Sequence, residues 1–323
     1  MRLVALACLL AACGDNADPC GYVDPIVTFR NVWSLQLAAD ATHVYFSDYD
    51  VDGYGTELVI REPRAGGPIQ ALGNPHPGST FGRGLALDDA FLYWASIDNQ
   101  ALTSFYASPI AGGMPFLFGN LSSCAPSGVA VDANWAYAGT IGCNDLPSTI
   151  TVFPIHGGMA TTIWTSADSD VRELAAGDGA VFFTTTTGVF SLRGTTLEIL
   201  DGTPGHHVEV HDATLYYSTD EGIFSVPVGG GDRVRLYTYP AGAMEIGSFG
   251  VDGSDLYFAE SGRMLLATGT AEPRVVVENL GKGVGPIVAR DGWAYWSVLF
   301  LPDTLGDLYT FSGGVLRVLR PCD

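Results

Sequence analysis

Seven times along the chain a run of apolar residues leads, usually through an aspartate, into an apolar-aromatic core that ends in a small residue. The copies read LQLAADATHVYFS, LALDDAFLYWA, VAVDANWAYAG, LAAGDGAVFFT, VEVHDATLYYS, FGVDGSDLYFA and IVARDGWAYWS. Short apolar runs separated by Asp, Gly and Ser predict pairs of strands joined by tight turns. The first aromatic of each core sets the register at Tyr45, Tyr93, Tyr137, Phe182, Tyr216, Tyr257 and Tyr295, in steps of 34 to 48 residues. That spacing matches a four-stranded blade of about 40 to 50 residues.

Each unit continues into a second strand pair around a glycine-rich turn, as in LVIREPRAGGPIQAL, FYASPIAGGMPFLF, ITVFPIHGGMATTI and IFSVPVGGGDRVRLY. Paired glycines supply the positive φ such hairpins need. Helical periodicity is nearly absent. The pattern therefore predicts an all-β chain with seven copies of a four-stranded antiparallel unit. Radial packing covers both faces of such short sheets and shields their edges, so the expected fold is a seven-bladed β-propeller over residues 23–323. The anchoring aromatics are expected to pack blade against blade.

These residues resemble the YWTD and TolB-like propeller families, in which an Asp, a short gap and an aromatic strand ending in a small residue mark each blade. DAFLYWAS and DGSDLYFAES carry the resemblance most closely. It spans nearly all of residues 35–320 and implies the fold, because the same structural motifs serve propellers of unrelated function.

The first residues read differently. Arg2 precedes an apolar run from Leu3 to Ala12, too short to span a bilayer as a mature helix but suited to an export signal. Leu10-Ala11-Ala12-Cys13 resembles the bacterial lipobox, which implies a signal peptide over 1–12, lipid on Cys13 and a tether over 13–22. Localisation in the cell envelope follows as an expectation, with the protein facing the periplasm or the cell exterior and held to the membrane through the lipid alone. A net charge of −20, with Lys282 as the sole lysine, argues against nucleic acid as a partner.

Beyond Cys8 in the signal and Cys13, four cysteines remain, Cys20, Cys124, Cys143 and Cys322, and three pairings are open to them. The register pairs Cys124, ahead of the third unit's first strand, with Cys143, after its second. It also brings Cys20 and Cys322 together where the ring closes.

Loop length varies in the D-to-A and B-to-C connections, so the face they share is the expected binding face. One of these loops holds Asp48, Asp50, Asp52, Tyr54 and Glu57, alternating oxygen donors that suit a structural Ca²⁺ ion; the alternative reading is a solvated acidic turn. Aligning the repeats places Leu35, Arg83, Ser127, Arg172, His206, Gly247 and Gly285 at one level of the channel mouth. There Arg83, Arg172 and His206 could attract a small anionic ligand, or else pair with Asp168, Asp170, Glu173 or Glu209. His206, His207, Glu209 and His211 invite a metal reading through alternation on one strand, although His211 occupies the turn position of Asp88 and Asp132. No nucleophile elbow, phosphate loop or HExxH motif is present. The expected function is a non-catalytic binding or scaffold module for a protein, glycan or small ligand. The alternative is a metal-dependent hydrolase or lyase acting at the mouth of the channel.

Overall fold

The structure is a computed structural model that describes residues 23–30, 36–49, 57–73, 80–97, 103–121, 124–143, 145–156, 158–240, 248–269, 271–280, 282–300 and 312–319, with the backbone alone for 23–30, 48–49, 57–58, 73, 80–83, 282–283, 299–300, 312–314 and 319. The strands in chain order are β1 Val23–Arg30, β2 Leu37–Ala39, β3 His43–Tyr49, β4 Glu57–Pro63, β5 Gln70–Gly73, β6 Thr80–Leu87, β7 Phe91–Ile97, β8 Thr103–Pro109, β9 Phe116–Asn120, β10 Pro126–Val131, β11 Trp135–Thr140, β12 Ser148–Pro154, β13 Thr161–Ser166 and β14 Val171–Gly177. They continue as β15 Ala180–Thr185, β16 Val189–Arg193, β17 Thr196–Asp201, β18 Gly205–His211, β19 Thr214–Thr219, β20 Gly222–Pro227, β21 Val234–Thr238, β22 Phe249–Asp252, β23 Asp255–Glu260, β24 Arg263–Thr268, β25 Arg274–Val277, β26 Lys282–Arg290, β27 Trp293–Phe300 and β28 Ser312–Leu319.

They form seven four-stranded antiparallel sheets, β2 to β5, β6 to β9 and so on round a ring, so the chain is a seven-bladed β-propeller. The seventh blade is built from both ends of the chain: β26, β27 and β28 supply its inner three strands and β1 supplies the outermost, with Val23 opposite Val318 and Arg30 opposite Ser312.

The aromatic register holds in every blade. Tyr45, Tyr93, Tyr137, Phe182, Tyr216, Tyr257 and Tyr295 each stand on the second strand, opposite Ala38, Ala86, Ala130, Ala175, Glu209, Gly250 and Val288 on the first. Each aromatic faces the next blade. Tyr45 packs with Leu92 and Trp94, Tyr137 with Leu174 and Phe183, and Tyr295 with Leu37 and Phe46. The core is therefore seven clusters between neighbouring sheets, as radial packing requires.

One repeated phrase folds into two turn geometries. In blades 1 to 3 an aspartate caps the turn: Asp88 Oδ1 accepts from the backbone N–H of Ala90 and Phe91 at 2.7 Å each, and its Oδ2 accepts from the Tyr93 hydroxyl at 2.7 Å. Asp40 with Tyr45 and Asp132 with Tyr137 repeat the clamp. Blades 4, 5 and 7 use tighter turns in which Asp178, Asp212 and Asp291 take positive φ. Tyr295 instead receives a hydrogen bond from Arg64 of blade 1, whose guanidinium also reaches Asp291 at 2.6 Å and the Arg290 carbonyl at 2.9 Å.

The Cys124–Cys143 disulfide is formed, with Cα atoms 5.6 Å apart. Cys20 and Cys322 lie outside the described residues, as do the signal, lipidation and tether positions up to residue 22.

Candidate functional site

The first strands of the blades line an axial channel of about 980 Å³. Most of its lining side chains are Ala, Leu, Val, Ile or Gly, which leave backbone polar groups exposed to the channel; Arg172 and Glu173 of β14 and His206, His207 and Glu209 of β18 supply the charged and titratable groups among the described lining residues. The charged and titratable side chains of the channel are thus concentrated on blades 4 and 5 among the described residues.

Most of these groups link one blade to the next. At the level of Gln36, Glu173, His207 and Ser248, the Gly84 N–H donates to Gln36 Oε1 at 3.0 Å and the Ile287 N–H to Ser248 Oγ at 2.7 Å. At the same level Glu173 accepts from Nδ1 of His207. The His207 ring in turn stands edge-on to Phe249 of blade 6, with centroids 4.6 Å apart, and bonds to the Phe249 backbone. Burial opposes a charge on His207, but the adjacent carboxylate of Glu173, with help from Glu209 and the Phe249 backbone, outweighs it and raises the pKa.

Glu209 occupies the position filled by Ala, Gly or Val in the other six blades. Burial pushes its carboxyl up to about 7, and Asp252 adds to the rise, while His207 and the Val251 N–H oppose it. Farther along the strands His211 Nε2 accepts from the Gly253 N–H at 3.0 Å, and Asp252 Oδ2 accepts from the Gly292 N–H at 2.5 Å. His207, Glu209 and His211 thus bridge blades, and among the described residues no three His, Cys, Asp or Glu side chains group so as to hold a metal ion.

The mouth is different. Arg172 Nη1 donates to the Gly205 carbonyl at 3.1 Å and to Nδ1 of His206 at 3.3 Å. A guanidinium can only donate, so Nδ1 is the acceptor nitrogen of His206 and its Nε2–H points at Asp220 Oδ1, 2.6 Å away. Arg172 therefore pairs with none of Asp168, Asp170, Glu173 and Glu209, and its Nε and Nη2 have no partner among the described residues. Asp220, in the β19–β20 turn, went unnoticed in the sequence because only the folded blade brings that turn beside the D-to-A connection.

Of the sequence-predicted residues, Arg172 and His206 come together and Ser127 shares their channel. Arg83 lies on β6, and its side chain falls outside the described residues, as do those of Asp48, Asp50, Asp52, Tyr54 and Glu57.

No family model matches the chain, and no curated protein does. Solved structures do. A nidogen–laminin complex aligns with a TM-score of 0.51 and 17% identity over 71% of this chain and 89% of that one. YCF48 bound to D1 peptide aligns at 0.58 and 10% over 95% and 98%. A structure from work on two prolyl endopeptidases aligns at 0.63 and 12%, over 91% of this chain and 50% of that longer one. At such identity these likenesses show a shared propeller fold.

Proposed function

We propose that this chain is a non-catalytic binding propeller of the bacterial cell envelope, held by lipid on Cys13, that receives an anionic group at the D-to-A mouth of its channel. The observation that carries the reading is Arg172, positioned by Gly205 and by the His206–Asp220 pair while its Nε and Nη2 lack a partner among the described residues. A planar guanidinium with two donor edges suits a carboxylate or phosphate in bidentate geometry. Arg83, at the same level of the repeat alignment, would add a second cation. Such an anion could be free, or carried by a protein or glycan partner. Partner binding accords with the nidogen–laminin and YCF48–D1 peptide complexes, whose propellers share the fold.

Thermal melting in a panel of sulfate, phosphate and small dicarboxylates tests this reading. An anion at about one hundred times its Kd stabilises by about 2.7 kcal/mol. The parent is expected to respond and Arg172→Gln to lose the response; an equal shift in both overturns the site. In the same assay a structural Ca²⁺ ion held by Asp48, Asp50, Asp52, the Tyr54 carbonyl and Glu57 would raise the melting point in the parent and not in Asp50→Ala.

A further inference from the structure

One hairpin is built four times. In blades 1, 2, 3 and 5 the third strand ends at Pro63, Pro109, Pro154 or Pro227, and Gly67, Gly113, Gly158 and Gly231 turn the chain at φ of 151°, 147°, 147° and 146°. The residue at each tip is Pro68, Met114, Met159 or Asp232. Because Asp232 fits this turn in blade 5, the backbone does not demand an apolar tip. Yet adjacent blades 2 and 3 carry methionines that are 85% and 89% exposed, on hairpins Ile110–Pro115 and Ile155–Ala160 that contain no Asp, Glu, Lys or Arg. Around them on the same face stand Phe116, Leu117 and Trp135, with Ile69 on blade 1, each between 38% and 51% exposed. Arg61 reaches the Ile110 carbonyl from blade 1, and Asp89 and Asp132 stand in the neighbouring A-to-B turns. In a chain of net charge −20, however, two adjacent hairpins with no charge of their own and apolar side chains beside them mark a contact surface.

The topology says what faces it. Trp293, beside the A-to-B turn of blade 7, pairs with Leu319, and Val23 pairs with Val318, so β1 enters the propeller on the face of the A-to-B and C-to-D turns. That is the methionine face, opposite the Arg172 mouth. Nine residues lie between Cys13 and Val23, ten Cα steps with a reach of at most about 35 Å when extended. A lipid on Cys13 would hold this face toward the bilayer.

Resting on the lipid-anchor reading, we infer that Met114 and Met159, with Trp135 and Phe116 behind them, dock onto the lipid surface and turn the channel mouth away from the membrane. Flexible apolar tips and a tryptophan suit the headgroup boundary, and the lipid supplies the affinity they lack alone.

The test is peroxide oxidation of the acylated full chain on phosphatidylethanolamine–phosphatidylglycerol vesicles, against the Cys13→Ser chain free in buffer, read by peptide mass. Exposure governs methionine oxidation, so Met114 and Met159 are expected to oxidise about fivefold more slowly on vesicles. Met264, buried in blade 6, serves as a control that does not change. Equal rates at Met114 and Met159 in both samples overturn the docking. Protection that grows with protein concentration in buffer overturns it too, in favour of a second copy on this face. The mass of the Cys13 peptide separates the two readings: if it carries no lipid, the anchor itself fails. The Met114→Asp, Met159→Asp double variant copies the blade 5 tip and is expected to fold, float with vesicles and lose radical-labelling protection at Trp135 and Phe116; retained protection there also overturns the proposal.

Discussion

Asp88 shows how much one side chain can hold. Its carboxylate accepts two backbone N–H groups and the hydroxyl of Tyr93, a residue only 1% exposed. Asp88→Ala leaves all three donors without that acceptor, and a loss of about 2 kcal/mol is expected in urea unfolding. Asp88→Asn should lose less, because one oxygen still accepts. Glu209 yields a prediction in pH. Its folded carboxyl titrates near 7 against an ordinary 4.5, so between these values the folded chain holds a proton that the unfolded chain has released. Stability is therefore expected to fall as pH rises from about 4.5 to 7, by on the order of 1–3 kcal/mol. Above 6.5 His207 adds a loss of the same sign, because its raised pKa means the stabilising proton leaves as pH climbs through it. Glu209→Gln should flatten the lower part of the decline in melting scans and leave the His207 part; an unchanged profile would show that Glu209 titrates normally. The aspartates and tyrosines of the clamp were legible in the sequence because they recur in one register. The bonds of Glu173, His207 and Arg172 were not, since each reaches a neighbouring blade whose separation no strand pattern encodes.

Individual elements show where blades approach one another. A Cβ on Gly84, at φ +97°, would meet the Val129 nitrogen of the next blade at 2.6 Å, whereas one on Gly66, at φ +80°, would meet nothing within 4 Å. Both Ala variants incur the strain of positive φ, roughly 1–2 kcal/mol. Gly84→Ala must in addition push two inner strands apart, so it should be clearly the more destabilised of the pair in urea; equal losses would show that β6 and β10 can separate freely. The third blade carries its own staple. Removing Cys124–Cys143, which closes a loop of sequence separation 19, is expected to cost about 3 kcal/mol. This pairing could be read from the repeat, because the two cysteines flank an antiparallel A–B hairpin. Two turn geometries behind one Asp-containing phrase could not, since Asp132 and Asp178 look alike until the number of residues between the paired strands is known.

At the scale of the whole molecule, both ends of the chain meet in blade 7. Residues 23–30 pair with residues 312–318, so this sheet joins segments from the two ends of the chain. Contacts that distant in sequence are costly to close and form late. Without β1, strand β28 would be left with an open edge carrying unpaired backbone groups, beside the Arg64 network that ties blade 1 to Tyr295 and Asp291. A chain begun at residue 31 is therefore expected to melt well below the parent and to associate through the exposed edge of β28. The peptide VDPIVTFR, supplied in trans, should restore much of the lost stability, because antiparallel register with β28 depends on its sequence as well as its length. A scrambled peptide should not. If the truncated chain melts with the parent, closure resides instead in the packing of blade 1 against blade 7, through Phe46, Tyr295 and Val315. If Cys13 carries a lipid as proposed, β1 is the segment through which any pull from that lipid would pass into the ring.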